Sequence, residues 1–287
     1  MQEIINQTFD KERAFYGAEN LTVRRCRIDG PADGESAFKE CTGITAEDTF
    51  FNLRYPFWHG RDLTIRGSEM TELCRAALWY SEGIRIEDTR LHGIKALREC
   101  RDVSLSRCDI QSPEFGWSLR NVSADRCRLE SQYMLMRSTD LHFTRTDCIG
   151  KYSFQYVQNA VFDRCTFDTK DAFWHAENVT VRNSTLRGEY LGWYSDGLTL
   201  IDCRIIGTQP LCCCRHLKLI RCAMEETDLA FEKSEVEATV TTPIVSVKNP
   251  RSGLITAPSV GAFIRDDPLA CGTVITGGTL CSASARS

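Results

Sequence analysis

Val103-Ser104-Leu105-Ser106-Arg107-Cys108-Asp109-Ile110 returns nineteen residues later as Val122-Ser123-Ala124-Asp125-Arg126-Cys127-Arg128-Leu129. It returns again as Val179-Thr180-Val181-Arg182-Asn183-Ser184-Thr185-Leu186 and as Leu198-Thr199-Leu200-Ile201-Asp202-Cys203-Arg204-Ile205. Counting the first apolar residue as position 0, positions 0, 2 and 7 are apolar and position 5 is Cys, Ser or Thr. Position 0 falls at 84, 103, 122, 141, 160, 179, 198 and 217, every step being nineteen. A fixed period of this size marks one supersecondary unit stacked on copies of itself.

The pattern extends backwards through Leu63, Ile44 and Leu21 to Gln2, with steps of 21, 19, 23 and 19. The extra residues include Asp29-Gly30-Pro31-Ala32-Asp33-Gly34, which reads as a loop bulging from one corner. Positions 0 to 2 and 5 to 7 alternate like two short strands with a sharp corner between them. A third extended, aromatic segment follows at positions 12 to 16, as in Ala172-Phe173-Trp174-His175-Ala176. The residue before each coil is almost always Asn, Asp or Gly, the types that tolerate a left-handed backbone. Together these give an all-β, single-stranded parallel β-helix with about nineteen residues and three short strands per coil, right-handed by the chirality rule. A leucine-rich repeat also fits Leu-x-Leu-x-x-Cys-x-Ile, but nineteen is short for it and the rest of each unit is not helical. The β-helix is expected over residues 1–265, with 236–265 as atypical capping coils in which Ile255 restarts the pattern. Residues 266–287 are expected to be a frayed strand or a disordered tail.

The net charge of −4 provides no strong field for nucleic acid, and no apolar run approaches the roughly 18 residues of a membrane helix. Residues 1–13 lack a basic segment followed by an apolar one, so a secretory signal is not expected. Fifteen cysteines in a chain of 287 are an odd number, many in the position 5 column. They are expected to be reduced core thiols of a cytoplasmic protein, with no cofactor and no metal. The sharper alternative is a metal site near Cys203, Cys212, Cys213, Cys214 and Cys222.

The coil Ala172-Phe173-Trp174-His175-Ala176-Glu177-Asn178-Val179-Thr180-Val181, with Ser246 to Gly253 closing the helix, resembles an uncharacterised bacterial domain-of-unknown-function family of pectin-lyase-like β-helices. The resemblance covers residues 1 to about 265. It implies the fold and no established activity.

Function in such a fold is sought in columns, because equivalent positions stack about 4.8 Å apart. Position 4 supplies Arg107, Arg126, Arg145 and Arg164, a row able to hold anions. Asp109, Asp125, Asp147 and Asp163 lie close enough to neutralise it. Positions 14 and 15 supply Trp58-His59, Trp79-Tyr80, Arg98-Glu99, Trp117-Ser118, Met136-Arg137, Gln155-Tyr156, Trp174-His175 and Trp193-Tyr194. Strand alternation puts one of the two positions in the core and the other in solvent, without saying which. An aromatic wall with interleaved polar groups suits an extended polysaccharide or a protein partner, with Trp117, Trp174, Trp193, Tyr194, Arg98 and Glu99 as contacts. Aromatics filling a narrow solenoid give the same pattern. The other functional class is a carbohydrate-active lyase or glycoside hydrolase, for which His175, Arg137 and Tyr156 are the acid–base candidates.

Overall fold

A computed structural model describes residues 2–283. The expected all-β parallel solenoid of about nineteen residues per turn is the fold. The chain divides into two compact units, residues 1–147 and 148–287. No helix among the described residues is long and apolar enough to cross a membrane.

In the first unit the first wall is a parallel ladder in which each position 0 meets the next. Gln2 pairs with Leu21, Ile44 with Leu63, Leu63 with Ile84, Ile84 with Val103, and Val103 with Val122. The second wall repeats this one corner on, with Phe51 against Met70 and Leu91 against Ile110. In the second unit Ala160 pairs with Val179 and Val179 with Leu198. From Leu21 onward, positions 0, 2, 5 and 7 are buried in these coils, because period-two alternation turns them inward. Phe162 from the first wall, Phe167 from the second, and Phe154 and Phe173 from the third meet inside the second unit. Their ring centroids lie 4.9–5.7 Å apart.

Two residue columns make the corners. The residue before each coil is left-handed as expected, for example Asn20, Asp62, Asn121, Asn178 and Gly197 at φ 51, 53, 54, 52 and 70°. Position 4 is left-handed too, even where it is Arg: Arg107, Arg126, Arg145 and Arg164 lie at φ 47–55°. A non-glycine residue in that region carries strain, so something must hold it there.

The residue that follows does so. At position 5 each hydroxyl or thiol turns inward and donates back to the carbonyl two residues earlier. Thr89 reaches Glu87 O at 2.7 Å, Cys108 reaches Ser106 O at 3.4 Å, and Ser184 reaches Arg182 O at 2.7 Å. The same atom accepts the backbone N–H of the preceding coil's position 5, as in Thr49 N–H to Ser68 Oγ, Cys108 N–H to Cys127 Sγ and Cys165 N–H to Ser184 Oγ. The column therefore satisfies corner amides that the ladder leaves unpaired. Twelve of the fifteen cysteines are buried and all fifteen are free thiols.

The arginine row is neutralised. Arg107 makes two bonds to Asp88, one coil back, at 2.6 and 2.7 Å. Arg126 and Arg145 share Asp125, and Arg164 pairs with Asp163 at 3.6 Å.

The C-terminal coils depart from the expected register. Ala238 pairs with Ile255, so Gly253, not Ile255, occupies position 0, and the coil between is two residues short. Gly253 sits at φ 94°, and a Cβ there would meet the Val236 carbonyl oxygen at 2.0 Å. Only glycine lets the strands close at that step. Past residue 266, Thr273–Thr276 continues the first wall and folds back antiparallel onto Thr279–Leu280. Of the tail, residues 284–287 lie outside the described residues.

Cys127 is 3% exposed, donates to Asp125 O and accepts the Cys108 amide. Cys127→Asp places an unpaired carboxylate there and should cost at least ~3 kcal/mol in denaturant unfolding. Cys127→Ser keeps both bonds and should cost less than ~1.5 kcal/mol. Equal midpoints for the two variants would remove the column from the core.

A pH dependence follows as well. Burial pushes the thiols of Cys74 and Cys100 up to about 12 and those of Cys41 and Cys214 up to about 11. A folded-state value above the unfolded one, about 8.5, gives stability that is complete below pH 8.5 and lost as pH rises through 11–12. Between pH 9 and 12 the stability of Cys100→Ser should therefore fall less steeply than that of the parent, by the slope of about one proton. Parallel slopes would show that Cys100 ionises as freely folded as unfolded.

Candidate functional site

The third wall does not alternate. Within Ala172-Phe173-Trp174-His175-Ala176, positions 12, 13 and 16 are buried, Trp174 is half-buried and His175 is exposed. Neither position 14 nor position 15 supplies the core layer; position 13 does, through Phe57, Leu97, Phe154 and Phe173. The cause is the backbone. Asp171, Phe173 and His175 lie at φ 54, 60 and 52°, as do Tyr190, Gly192 and Tyr194 at 58, 72 and 59°. A left-handed residue at every second position aims its N–H alternately at the two neighbouring coils: Phe173 N–H reaches Ser153 O and His175 N–H reaches Trp193 O. Short strands remain on this wall at Phe57–Trp58, Leu78–Trp79 and Leu97–Arg98, and residues 171–175 and 191–194 are turns.

In the first unit position 14 forms a closed stack. Lys39 Nζ lies 5.0 Å from the Trp58 ring, and Trp58 and Trp79 stack at 5.9 Å and 15°. The Arg98 guanidinium follows, 5.8 Å from Trp79 and 4.8 Å from Trp117. Arg98 also pairs with Glu114 at 3.3 Å and with Glu99 at 4.0 Å. Beside this stack His59 and Tyr80 lie face to face at 5.1 Å. The ring faces in this stretch are taken by each other and by two cations, and Trp58 Nε1 and Trp79 Nε1 are buried without an acceptor among the described residues. Arg137 lines a separate polar groove with His59, Tyr80 and Glu99.

The second unit differs. Tyr156, His175 and Tyr194 stack at 5.1 and 5.0 Å, with interplanar angles of 5 and 10°. Behind them Trp193 is edge-on to Tyr190 at 5.2 Å and 69°. Trp174 and Trp193, with Asp171, Tyr190 and Gln209, line a cavity of about 330 Å³. Trp117 and Trp193 give their indole N–H to the carbonyl sixteen residues on, Tyr133 O at 3.0 Å and Gln209 O at 2.8 Å. Trp174 Nε1 is buried and has no acceptor. Leaving such a donor dry costs about 1–3 kcal/mol, as it does at Trp58 and Trp79. Burial holds the Asp171 carboxyl above its ordinary range, with Lys170 and Lys151 pulling the other way.

His175 and Tyr156 thus touch as stacked rings, while Arg137 belongs to the first unit. Cys212 and Cys214 are buried and Cys213 is partly exposed, with Cys213 left-handed at φ 58° like the other residues of its column. Asp171, Tyr190 and Gln209 were not singled out by the sequence reading. They share position 11; Asp171 and Tyr190 each stand three places before a tryptophan, and Gln209 three places before Cys212.

A family model matches residues 2–275, and its description is a protein of unknown function, DUF3737. The chain belongs to this family. No curated protein matches it. Among solved structures it is similar to PfbA, a surface adhesin of Streptococcus pneumoniae, at 8% identity and a TM-score of 0.34, covering 97% of this chain and 80% of that one. It is similar to the catalytic unit of a GH87 alpha-1,3-glucanase from Streptomyces thermodiastaticus at 10% identity and a TM-score of 0.35, covering 99% and 64%. A third similarity is to tailspike protein 3 of bacteriophage CBA120, at 10% identity and a TM-score of 0.24, covering 96% and 52%.

The closed stack generates a stability test. A guanidinium between two indoles contributes about 1–2 kcal/mol when desolvated, and its planarity is part of that. Arg98→Ala should lower unfolding stability by about 1–3 kcal/mol and red-shift tryptophan emission. Arg98→Lys should recover only part of the loss, and Glu99→Ala should change stability by under ~0.5 kcal/mol. Wild-type stability in Arg98→Ala would show that the stack does not hold this wall.

Proposed function

We propose that this chain binds a carbohydrate polymer through the third wall of its second unit, with one sugar ring seated between Trp174 and Trp193. The observation that carries the reading is the contrast between the two stretches of wall. In the first unit the indoles stack on one another, whereas here two indoles border a cavity with the Asp171 carboxyl beside them. A sugar ring supplies what such a cavity takes: an apolar C–H face for the indoles and a hydroxyl donor for Asp171. The exposed edges of Tyr156, His175 and Tyr194 offer hydrogen bonds to adjoining residues of the polymer. Twelve buried free thiols support a reducing, cytoplasmic setting for this binder.

A second reading, a pectin-lyase-like enzyme acting on the same polymer, is favoured by one observation. Asp171 is a carboxyl with a raised proton affinity beside the ring site, the property a general acid needs. Hydrolysis also needs a second carboxylate about 5–9.5 Å away. Of the residues lining the cavity only Asp171 is acidic, and neighbouring Glu189 is paired with Lys170 at 2.7 Å. Binding without turnover is the better-supported reading.

A glycan screen of the purified chain followed by calorimetry tests it. Trp174→Ala and Trp193→Ala should each weaken the best oligosaccharide about 10-fold or more, the usual scale for losing a stacking aromatic anchor. Trp58→Ala should leave affinity unchanged. No saturable glycan, or variants that bind as the parent does, would overturn the proposal. Release of shortened products that stops in Asp171→Asn would replace binding with the enzymatic reading.

A further inference from the structure

We infer that the first unit carries an anion site for a phosphate or sulfate monoester, built from Arg101, Arg120, Arg137 and Ser118 at the corner where the third wall turns into the first. These residues line a groove of about 610 Å³. Four arginines and two glutamates line it, a surplus of two positive charges in a chain whose net charge is −4. The two glutamates are already engaged. Glu82 takes both Arg61, at 3.1 Å, and Arg101, and Glu99 faces Arg98 at 4.0 Å.

Arg120 has no ion pair among the described residues. It stands directly beside Arg101 in register on the next strand, and its other neighbour in the ladder is Thr139. Two outward guanidiniums one strand apart repel each other across about 4.8 Å. Elsewhere in this unit arginine corners are relieved by an aspartate, as Arg107 is by Asp88. Ser118, two residues before Arg120 on the same coil, is the smallest side chain of its exposed column, between Glu99 and Arg137, at φ 56°. A short hydroxyl side chain in a groove lined by four arginines leaves room for an occupant and adds a donor to it. A carboxylate is planar and is satisfied by one bidentate guanidinium. A tetrahedral oxyanion presents three oxygens in different directions and can bridge two or three of the guanidiniums that line the groove. The site takes an RO–PO₃ or RO–SO₃ group, and its contacts are separate from those of Trp174 and Trp193.

The test is calorimetric titration of the full chain with glucose 6-phosphate and glucose 6-sulfate, with glucuronate as the planar carboxylate. One or both esters should bind saturably, more weakly as salt is raised, and at least 10-fold more tightly than glucuronate. The stronger of the two identifies the source of the group. Arg120→Ala should weaken that ester about 10-fold or more, and Arg120→Lys should recover part of it. Trp193→Ala should leave ester binding intact, so failure here and failure of glycan binding are separable. Because Arg120 is exposed and unpaired, Arg120→Ala should melt at or above the parent temperature. The inference is overturned if neither ester binds up to about 10 mM, if glucuronate binds equally well, or if folded Arg120→Ala binds like the parent.

Discussion

The solenoid depends on one small interaction, the bond that an inward hydroxyl or thiol makes to the carbonyl two residues before it. At the first corner of each coil a residue is held left-handed, and in four consecutive coils that residue is arginine. An isolated arginine does not favour that backbone. The following Thr, Ser or Cys fixes it by bonding across the bend, and then accepts the amide of the preceding coil. The same device recurs at position 16, where Ser81 bonds Trp79 O and Cys100 bonds Leu78 O and Arg98 O. A small polar side chain is therefore the rule at position 5, which explains why Cys, Ser and Thr interchange there and valine does not appear; at position 16 it gives way to Leu119, Val157 and Ala176 in three coils. Most buried cysteines are hydrogen-bonding corner pieces, and burial there raises the proton affinity of Cys41, Cys100 and Cys214.

The first two walls were legible because their constraint is periodic. Val103, Leu105, Cys108 and Ile110 announce an inward face by alternation, and Asp102 and Asn121 announce a corner by residue type. The third wall was not legible in the same way. Alternation assumes extended backbone at every residue, so it assigned Trp174 and His175 to opposite faces. Left-handed φ at Asp171, Phe173 and His175 breaks that assumption, and both residues reach the surface. Phenylalanine and histidine in left-handed backbone give no compositional warning. Their conformation is imposed by hydrogen bonds to the coils on each side. The C-terminal register slipped for a related reason: Gly253 permits a coil two residues short, and one glycine carries no count of what was deleted.

The cavity at Asp171 was hidden for a different reason. A column is noticed when it repeats, and position 11 does not: it is Asp171, then Tyr190, then Gln209. Repetition and binding pull in opposite directions in this fold. Neighbouring coils lie about 4.8 Å apart, close to the separation at which aromatic faces stack. Identical aromatics in one column therefore satisfy one another, as Trp58 and Trp79 do. A face becomes available only where the repeat is interrupted. At Trp193 that interruption is Tyr190 meeting the indole edge-on, which turns the ring away from the Trp174 column and opens the space between them.

The same logic governs charge. Arginines recur at position 4, and each is answered by an aspartate one residue or one coil away, so the regular row has little field of its own. At the opposite corner Arg101 and Arg120 stand side by side in the ladder; Glu82 answers Arg101, and Arg120 has no acid of its own among the described residues. In the neighbouring exposed column the side chain shrinks to Ser118, giving up the packing that Tyr80 provides two coils earlier. An unanswered arginine beside another does nothing for the stability of the empty corner, which is the ground on which an occupying anion is proposed there. In a solenoid that solves its structural problem identically in every coil, a coil that solves it less well is where binding is to be sought.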